Sequence, residues 1–216
     1  MTNKTTIIIF ALLIVVVILT GILIWNKLPE QMASHWNEQD QVDGYMSKFW
    51  GVFMVPLIMT GLTLLFLAVP FIDPLKKNIA SFRGMYNILI ILFNVFMAYI
   101  HALTLAWNLG HTGFRMSIVM LPAMGLLFIF IGFLIKKAKR NFFIGIRTPW
   151  TLSSDRVWDE THRLGSKLFI AAGLITFIGI LFPDQAFILL MVSVIAAALI
   201  SVIYSYLAWR RVENGN

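Results

Sequence analysis

Six apolar runs, each about as long as the 20 residues a helix needs to cross a hydrocarbon core, constrain this chain more than anything else in it. They fall at residues 6–25, 50–72, 86–108, 117–135, 168–182 and 185–207. In lipid the backbone must satisfy its own hydrogen bonds, and a run of this length does so as a helix. Of the 216 residues 59% are hydrophobic and 12% charged, too little polar surface to cover a water-soluble globule. The expected fold class is therefore all-α integral membrane, a six-transmembrane helix bundle. The fifth run is short. Pro183-Asp184 is the one plausible break before the sixth and implies a tight helical hairpin, the alternative being one long tilted span. The first apolar run exceeds the 7–15 residues usual for a signal-peptide core and no A-x-A site follows, so it reads as a retained first helix.

Counting Lys and Arg gives an orientation. With six spans, one side receives Lys4, Lys76, Lys77, Arg83, the eight cations between Lys136 and Lys167, and Arg210 and Arg211, a total of 14 against 3 (Lys27, Lys48, Arg115) on the other. That bias places both termini in the cytoplasm of a plasma membrane, N-in and C-in. It divides the chain into an N-terminal two-helix unit (1–72) with an acidic outer loop (26–49), the third and fourth helices (73–135), and a basic inner loop with the last two helices and tail (136–216). No loop exceeds about 30 residues, too few for a core of its own.

The third helix carries Asn87, Asn94, His101 and Asn108, one every seven residues and so along one side. Such a stripe should face the bundle interior, where it either locks packing by hydrogen bonds or lines a polar path with His101 as its titratable member. Gly125 and Gly132 in the fourth helix, and Ser193, Ala197, Ser201 and Ser205 in the sixth, read as close-packing stripes. With no cysteine, no Asp or Glu in the six runs and one intramembrane histidine, neither an intramembrane enzyme nor a metal centre is expected, and no cofactor.

In the outer loop His35, Glu38, Asp40 and Asp43 match no metal-site spacing, and Asp43-Gly44 is a turn signal for a hairpin. The inner loop has more internal structure. Ser153 or Ser154 is a good N-cap, followed by Asp155 in a first turn. Arg156/Glu160 and Asp159/Arg163 are opposite charges at i,i+4, while Trp158, His162 and Gly165 share a face. We read a short helix at the inner interface with Trp150 and Trp158 at headgroup level. Asp155, Asp159 and His162 also share a face, but charge pairing accounts for the acids. The basic cluster 136–140 suits anionic lipid.

Two motifs here resemble a known family. Asn141, Gly145-Ile146-Arg147-Thr148-Pro149-Trp150-Thr151-Leu152-Ser153-Ser154, then Val157-Trp158, Thr161-His162 and Gly165 resemble the SdpI family of bacterial membrane proteins. The outer-loop stretch 28–48, with His35-Trp36-Asn37 and Val42-Asp43-Gly44-Tyr45, is similar to the domain of unknown function that often precedes it. The resemblance implies a multipass immunity protein that protects its producer from an exported, membrane-active toxin peptide. It also implies a receptor that draws a small ArsR-type repressor to the membrane, with no direct nucleic-acid contact. On it, the signature loop (Gly145, Arg147, Thr148, Pro149, Trp150, Trp158, His162) is the platform for a partner or for packing. His35, Asn37, Asp43 and Gly44 are the candidate toxin contacts. The competing function is a small transporter or proton-coupled carrier using the stripe on the third helix.

Overall fold

Eight helices and one hairpin follow in the computed structural model, which describes residues 2–215. They are α1 (Asn3–Leu23), β1 (Gln31–Trp36), β2 (Val42–Ser47), α2 (Lys48–Ile72), α3 (Lys76–Ser81), α4 (Arg83–Asn108), α5 (Met116–Lys137), α6 (Pro149–Ser153), α7 (Asp155–Ile178) and α8 (Ala186–Glu213). Six are long and apolar enough to cross a membrane: α1, α2, α4, α5, α7 and α8. The chain is a multipass membrane protein. Its lipid-facing residues, such as Leu12, Leu23, Leu64, Ile188 and Leu199, are exposed and apolar, as a hydrocarbon solvent requires.

Small residues set how the helices meet. A Cβ on Gly173 of α7 would lie 2.6 Å from the Gly125 carbonyl oxygen of α5, and one on Gly132 would lie 2.8 Å from the Ser166 carbonyl oxygen. Only glycine permits that approach, so α5 and α7 touch backbone to backbone. Ala197, Ser201 and Ser205 of α8 are buried against the same group, with Ser201 Oγ beside Gly165. The other group comprises α1, α2 and α4. Both termini lie at the end that also carries the signature loop: Asn3 Oδ1 accepts from Arg83 Nε (2.9 Å) and Asn87 Nδ2 (3.0 Å), and Arg211 approaches Glu160 (3.8 Å).

The structure corrects the sequence reading in three places. The fifth apolar run is the second part of a longer helix. α7 runs unbroken from Asp155, so the expected interfacial helix is its first turns. Nothing between Arg163 and Leu168 interrupts a helix, and Gly165 is held there by close packing rather than acting as a stop. Consequently Trp158 is fully buried rather than exposed on an interfacial helix, and Asp155, Asp159 and Glu160 lie in the first turns of α7. The hairpin forms, but its turn is at 37–41, with Asp43 and Gly44 inside β2. Asn37 makes that turn: its Oδ1 accepts from the N–H groups of Gln39 (3.0 Å) and Gln41 (2.9 Å), and Asp40 takes a left-handed φ of +61°. Finally, Asp159 pairs with Lys139 (3.7 Å) rather than Arg163, whereas Arg156–Glu160 forms as expected (3.1 Å).

The hairpin tip is anchored by one residue. Asp40 accepts from Arg115 Nε (2.8 Å), Ser117 N–H (2.7 Å) and Ser117 Oγ (2.7 Å), capping the start of α5 from outside the helix. Burial works to raise the Asp40 pKa, but the Arg115 hydrogen bond, the two from Ser117 and the Arg115 charge together hold it below the ordinary 3.8. A depressed carboxylate stabilises the fold above its unfolded value and loses that contribution as pH falls through the folded one. We therefore expect the tip to stay docked at neutral pH and to loosen only in acid below about 3.8. Asp40→Asn should loosen it at pH 7, read as faster amide exchange at 37–41 and at Ser117. Unchanged exchange in that variant would contradict the anchor.

Candidate functional site

Two folded loops at opposite ends of the bundle hold most of the candidate residues. The first is the hairpin. Met32 is fully buried and lies directly on Gly51, where a Cβ would overlap its sulfur; with Leu28, Val52 and Leu105 it forms the hairpin's core. Asn108 then treats β1 as a strand treats its neighbour. Its Oδ1 accepts from Ala33 N–H (2.8 Å) and its Nδ2 donates to the Ala33 carbonyl (3.0 Å). The stripe's last asparagine therefore closes the outer edge of β1.

The register fixes what β2 presents. Lys48 N–H donates to the Glu30 carbonyl (2.9 Å), and Met32 and Ala33 oppose Met46 and Tyr45. Hydrogen-bonded and non-bonded pairs alternate in an antiparallel ladder. Ala33/Tyr45 is thus a non-bonded pair, and the Tyr45 N–H and C=O point away from β1. The Tyr45 ring is exposed too. Next to it His35 Nδ1 and Asp43 Oδ1 are 2.5 Å apart, both exposed, and Gly44 lets β1 approach: a Cβ there would sit 2.8 Å from His35 Cβ. His35, Asp43 and Gly44 are therefore one surface cluster, whereas Asn37 is spent on the turn.

The second folded loop is the signature loop, and it is built as a platform. Asn141 is fully buried and saturated: Oδ1 accepts from the N–H groups of Phe143 (2.9 Å) and Ile144 (2.6 Å), and Nδ2 donates to the carbonyls of Lys139 (2.8 Å) and Ile144 (2.9 Å). Gly145 follows at φ +118°, a backbone that side chains rarely adopt, and lies against the His162–Trp158 pair, so a Cβ would overlap the imidazole. Ile146 N–H then donates to His162 Nε2 (3.0 Å). Since Nε2 accepts, Nδ1 carries the proton and donates to the Trp158 carbonyl (2.8 Å), which fixes one neutral tautomer. The two rings stack 3.9 Å apart at 17°, and Trp158 Nε1 donates to the Ala138 carbonyl (2.8 Å).

Pro149 opens α6 behind a capping box made by Thr148 and Thr151, and Thr148 Oγ1 meets Ser205 Oγ of α8 at 3.0 Å. Trp150 rests on Tyr206 with ring centroids 5.1 Å apart. Arg147 is exposed and closes the loop on itself by donating to the Phe142 carbonyl (2.7 Å). Of the predicted signature residues, Trp158, His162 and Thr148 are interior, Gly145 and Trp150 are partly covered, and Arg147 and Pro149 reach the surface. The acids Asp155 and Asp159 face the cations Arg140 (2.7 Å) and Lys139 (3.7 Å), while His162 points into the platform, so the three do not converge. The cluster 136–140 is accordingly half neutralised.

Two residues of this site were not singled out from the sequence. Asp73, only 2% exposed, accepts from Leu75 N–H (2.6 Å) and Phe142 N–H (2.9 Å), with no cation within 4.0 Å among the described residues. Asn78 Nδ2 donates to the Arg140 carbonyl (2.7 Å). The α2–α3 connection thus clasps the platform from below. Asp73-Pro74 directly after an apolar run was the available signal, a side chain poised to bond the backbone two residues on.

The stripe on α4 is mostly spent on packing. Asn87 donates to Asn3, Asn94 Nδ2 donates to Thr63 Oγ1 (2.8 Å) and to the Ile90 carbonyl, and Asn108 holds the hairpin. His101 is 2% exposed, and neither ring nitrogen has a partner among the described residues.

These features define a class: a six-span membrane protein with a pinned hairpin at one end and a folded basic platform at the other. Comparison with known sequences agrees. The profile of the SdpI/YfhL protein family matches residues 137–205, from the end of α5 through the platform and α7 into α8. That of DUF1648, a domain of unknown function, matches 12–60, which includes the hairpin. "Immunity protein SdpI" of Bacillus subtilis (strain 168) is 28% identical over 197 residues, 91% of this chain and 92% of that protein. No solved structure matches the chain significantly. Over residues 137–205 the chain is therefore similar to the SdpI/YfhL family.

Proposed function

We propose that this is an immunity protein of the bacterial plasma membrane, which shields its cell from an exported, membrane-active toxin peptide. The observation that carries this reading is the likeness to an immunity protein over 91% of the chain, hairpin and platform included. The orientation we assign is N-in and C-in. Of the three cations at the hairpin end, Lys48 is paired with Glu30 (2.7 Å) and Arg115 with Asp40 and Asp184, while 14 cations lie at the other end. The hairpin then faces the side from which an exported peptide arrives.

On this reading the peptide is met at the β2 edge beside His35, Asp43 and Gly44. Unpaired strand N–H and C=O groups bind an extended peptide whatever its sequence, and exposed Tyr45 adds an aromatic surface. The test is a challenge assay. A toxin-sensitive bacterium carrying the protein should keep its membrane potential and growth when an empty-vector control loses both. Tyr45→Pro removes the outward N–H of an edge position together with the exposed ring, and leaves the ladder to β1 intact, so it should lower protection while the protein reaches the membrane in normal amount. Protection absent with verified membrane insertion would overturn the reading. His101→Ala should protect as well as the parent; if it instead abolishes a pH-dependent flux, the carrier reading is favoured.

We further propose that the exposed part of the platform, Arg147 with Phe142 and Phe143, receives a cytoplasmic partner of the ArsR-type repressor class. Arg147→Ala, which loses one loop-closing hydrogen bond, should leave membrane level intact and abolish repressor recruitment. A fall in protein level would instead assign Arg147 to packing.

A further inference from the structure

We infer that the groove where the N-terminus of α1, the end of α2, α3 and the start of α4 meet is a binding site for the phosphate headgroup of an anionic phospholipid. The groove, about 460 Å³, is lined by Asn3, Pro70, Phe71, Lys76, Lys77 and Arg83. Its chemistry is divided. Lys76, Lys77 and Arg83 supply positive charge, and none of them has an acidic partner among the described residues. Phe71 at its rim is 74% exposed at the end of a spanning helix, so it offers an apolar surface beside the cations. A free anion uses only the first half of such a site; a lipid uses both, with phosphate on the cations and acyl chain along Phe71.

The arginine is set in place before any ligand arrives. Arg83 Nε donates to Asn3 Oδ1 (2.9 Å), and its guanidinium carbon lies 5.6 Å from the Tyr86 ring centroid. Two contacts fix the plane of a fork suited to phosphate oxygens, so little rotamer entropy is lost on binding. The basic cluster at 136–140 is a poorer candidate because Asp155 and Asp159 already engage Arg140 and Lys139. A lipid here would touch α1, α2, α3 and α4 together.

The experiment is native mass spectrometry of the full chain in a neutral detergent, titrated with phosphatidylglycerol, with phosphatidylcholine, and with inorganic phosphate as competitor. The parent should retain phosphatidylglycerol and not phosphatidylcholine. A juxtamembrane cation contributes about fivefold, so K76Q/K77Q should weaken retention roughly 25-fold. That variant leaves Arg83 and its contacts untouched and should fold. K136Q/K137Q, which removes equal charge outside the groove, should bind as the parent does. Equal retention by K76Q/K77Q and the parent would overturn the site. So would equal loss in the two double variants, which would reduce it to net charge, or displacement of the lipid by phosphate at matched concentration, which would assign the groove to a free anion.

Discussion

Trp158→Ala should cost the platform about 3–5 kcal/mol, the range for truncating a fully buried large aromatic. The residue is 0% exposed and sits in a core shared with Ile79, Tyr86, Ile90, Leu134 and Ile144, so its loss leaves a cavity among four helices and the loop. Two polar consequences follow. The Ala138 carbonyl loses its indole donor, and His162 loses the ring that holds it flat beneath Gly145. The measurement is amide exchange at Ile146, whose N–H depends on His162, together with unfolding of the variant in detergent. Trp158→Phe keeps most of the volume and loses the indole N–H, so about 1 kcal/mol is expected from that bond. Equal destabilisation by Phe and Ala would mean that the hydrogen bond, not the packing, holds the platform.

Asp73→Ala should be nearly as damaging although it removes three heavy atoms from a loop. A buried carboxylate accepting two backbone N–H groups makes two charge-assisted bonds, each worth about 1.5–3 kcal/mol, and truncation leaves both donors without an acceptor. The expected loss is about 3 kcal/mol or more. Asp73→Asn keeps one acceptor oxygen and should fall between the parent and the alanine variant. Limited proteolysis at 139–147 reads the effect, because Phe142 is the residue released. An alanine variant as resistant as the parent would show that Asn141 and Asn78 hold the loop without Asp73.

The helix count was legible because length and apolarity decide it before any tertiary contact forms. Seven-residue spacing put Asn87, Asn94, His101 and Asn108 on one side, and the first three are buried while Asn108 is partly covered. Spacing could not foresee that Asn108 would bond a strand 75 residues away. The fifth helix was read short because the charged residues at 155–167 pointed to a separate interfacial helix; α7 joins the two without a break, with Asp155 and Asp159 in its first turns paired to Arg140 and Lys139. The turn was misplaced because Asp43-Gly44 carries a strong local signal, and the Asn37 side chain together with the distant anchor of Asp40 on α5 overrode it. His162 was legible as a candidate. Its tautomer was not, since that depends on the amide of Ile146 across a turn that only Gly145 can make.

The central claim, an immunity protein that meets its toxin at the open hairpin edge, is tested most directly by crosslinking. A photoreactive amino acid replaces Tyr45 in one strain and Arg147 in another, and each is illuminated during toxin challenge. The account predicts a crosslink to the peptide from position 45 and none from position 147, with the hairpin outside and the platform inside. Peptide captured at position 147 and not at 45 would contradict both the assigned orientation and the assigned contact.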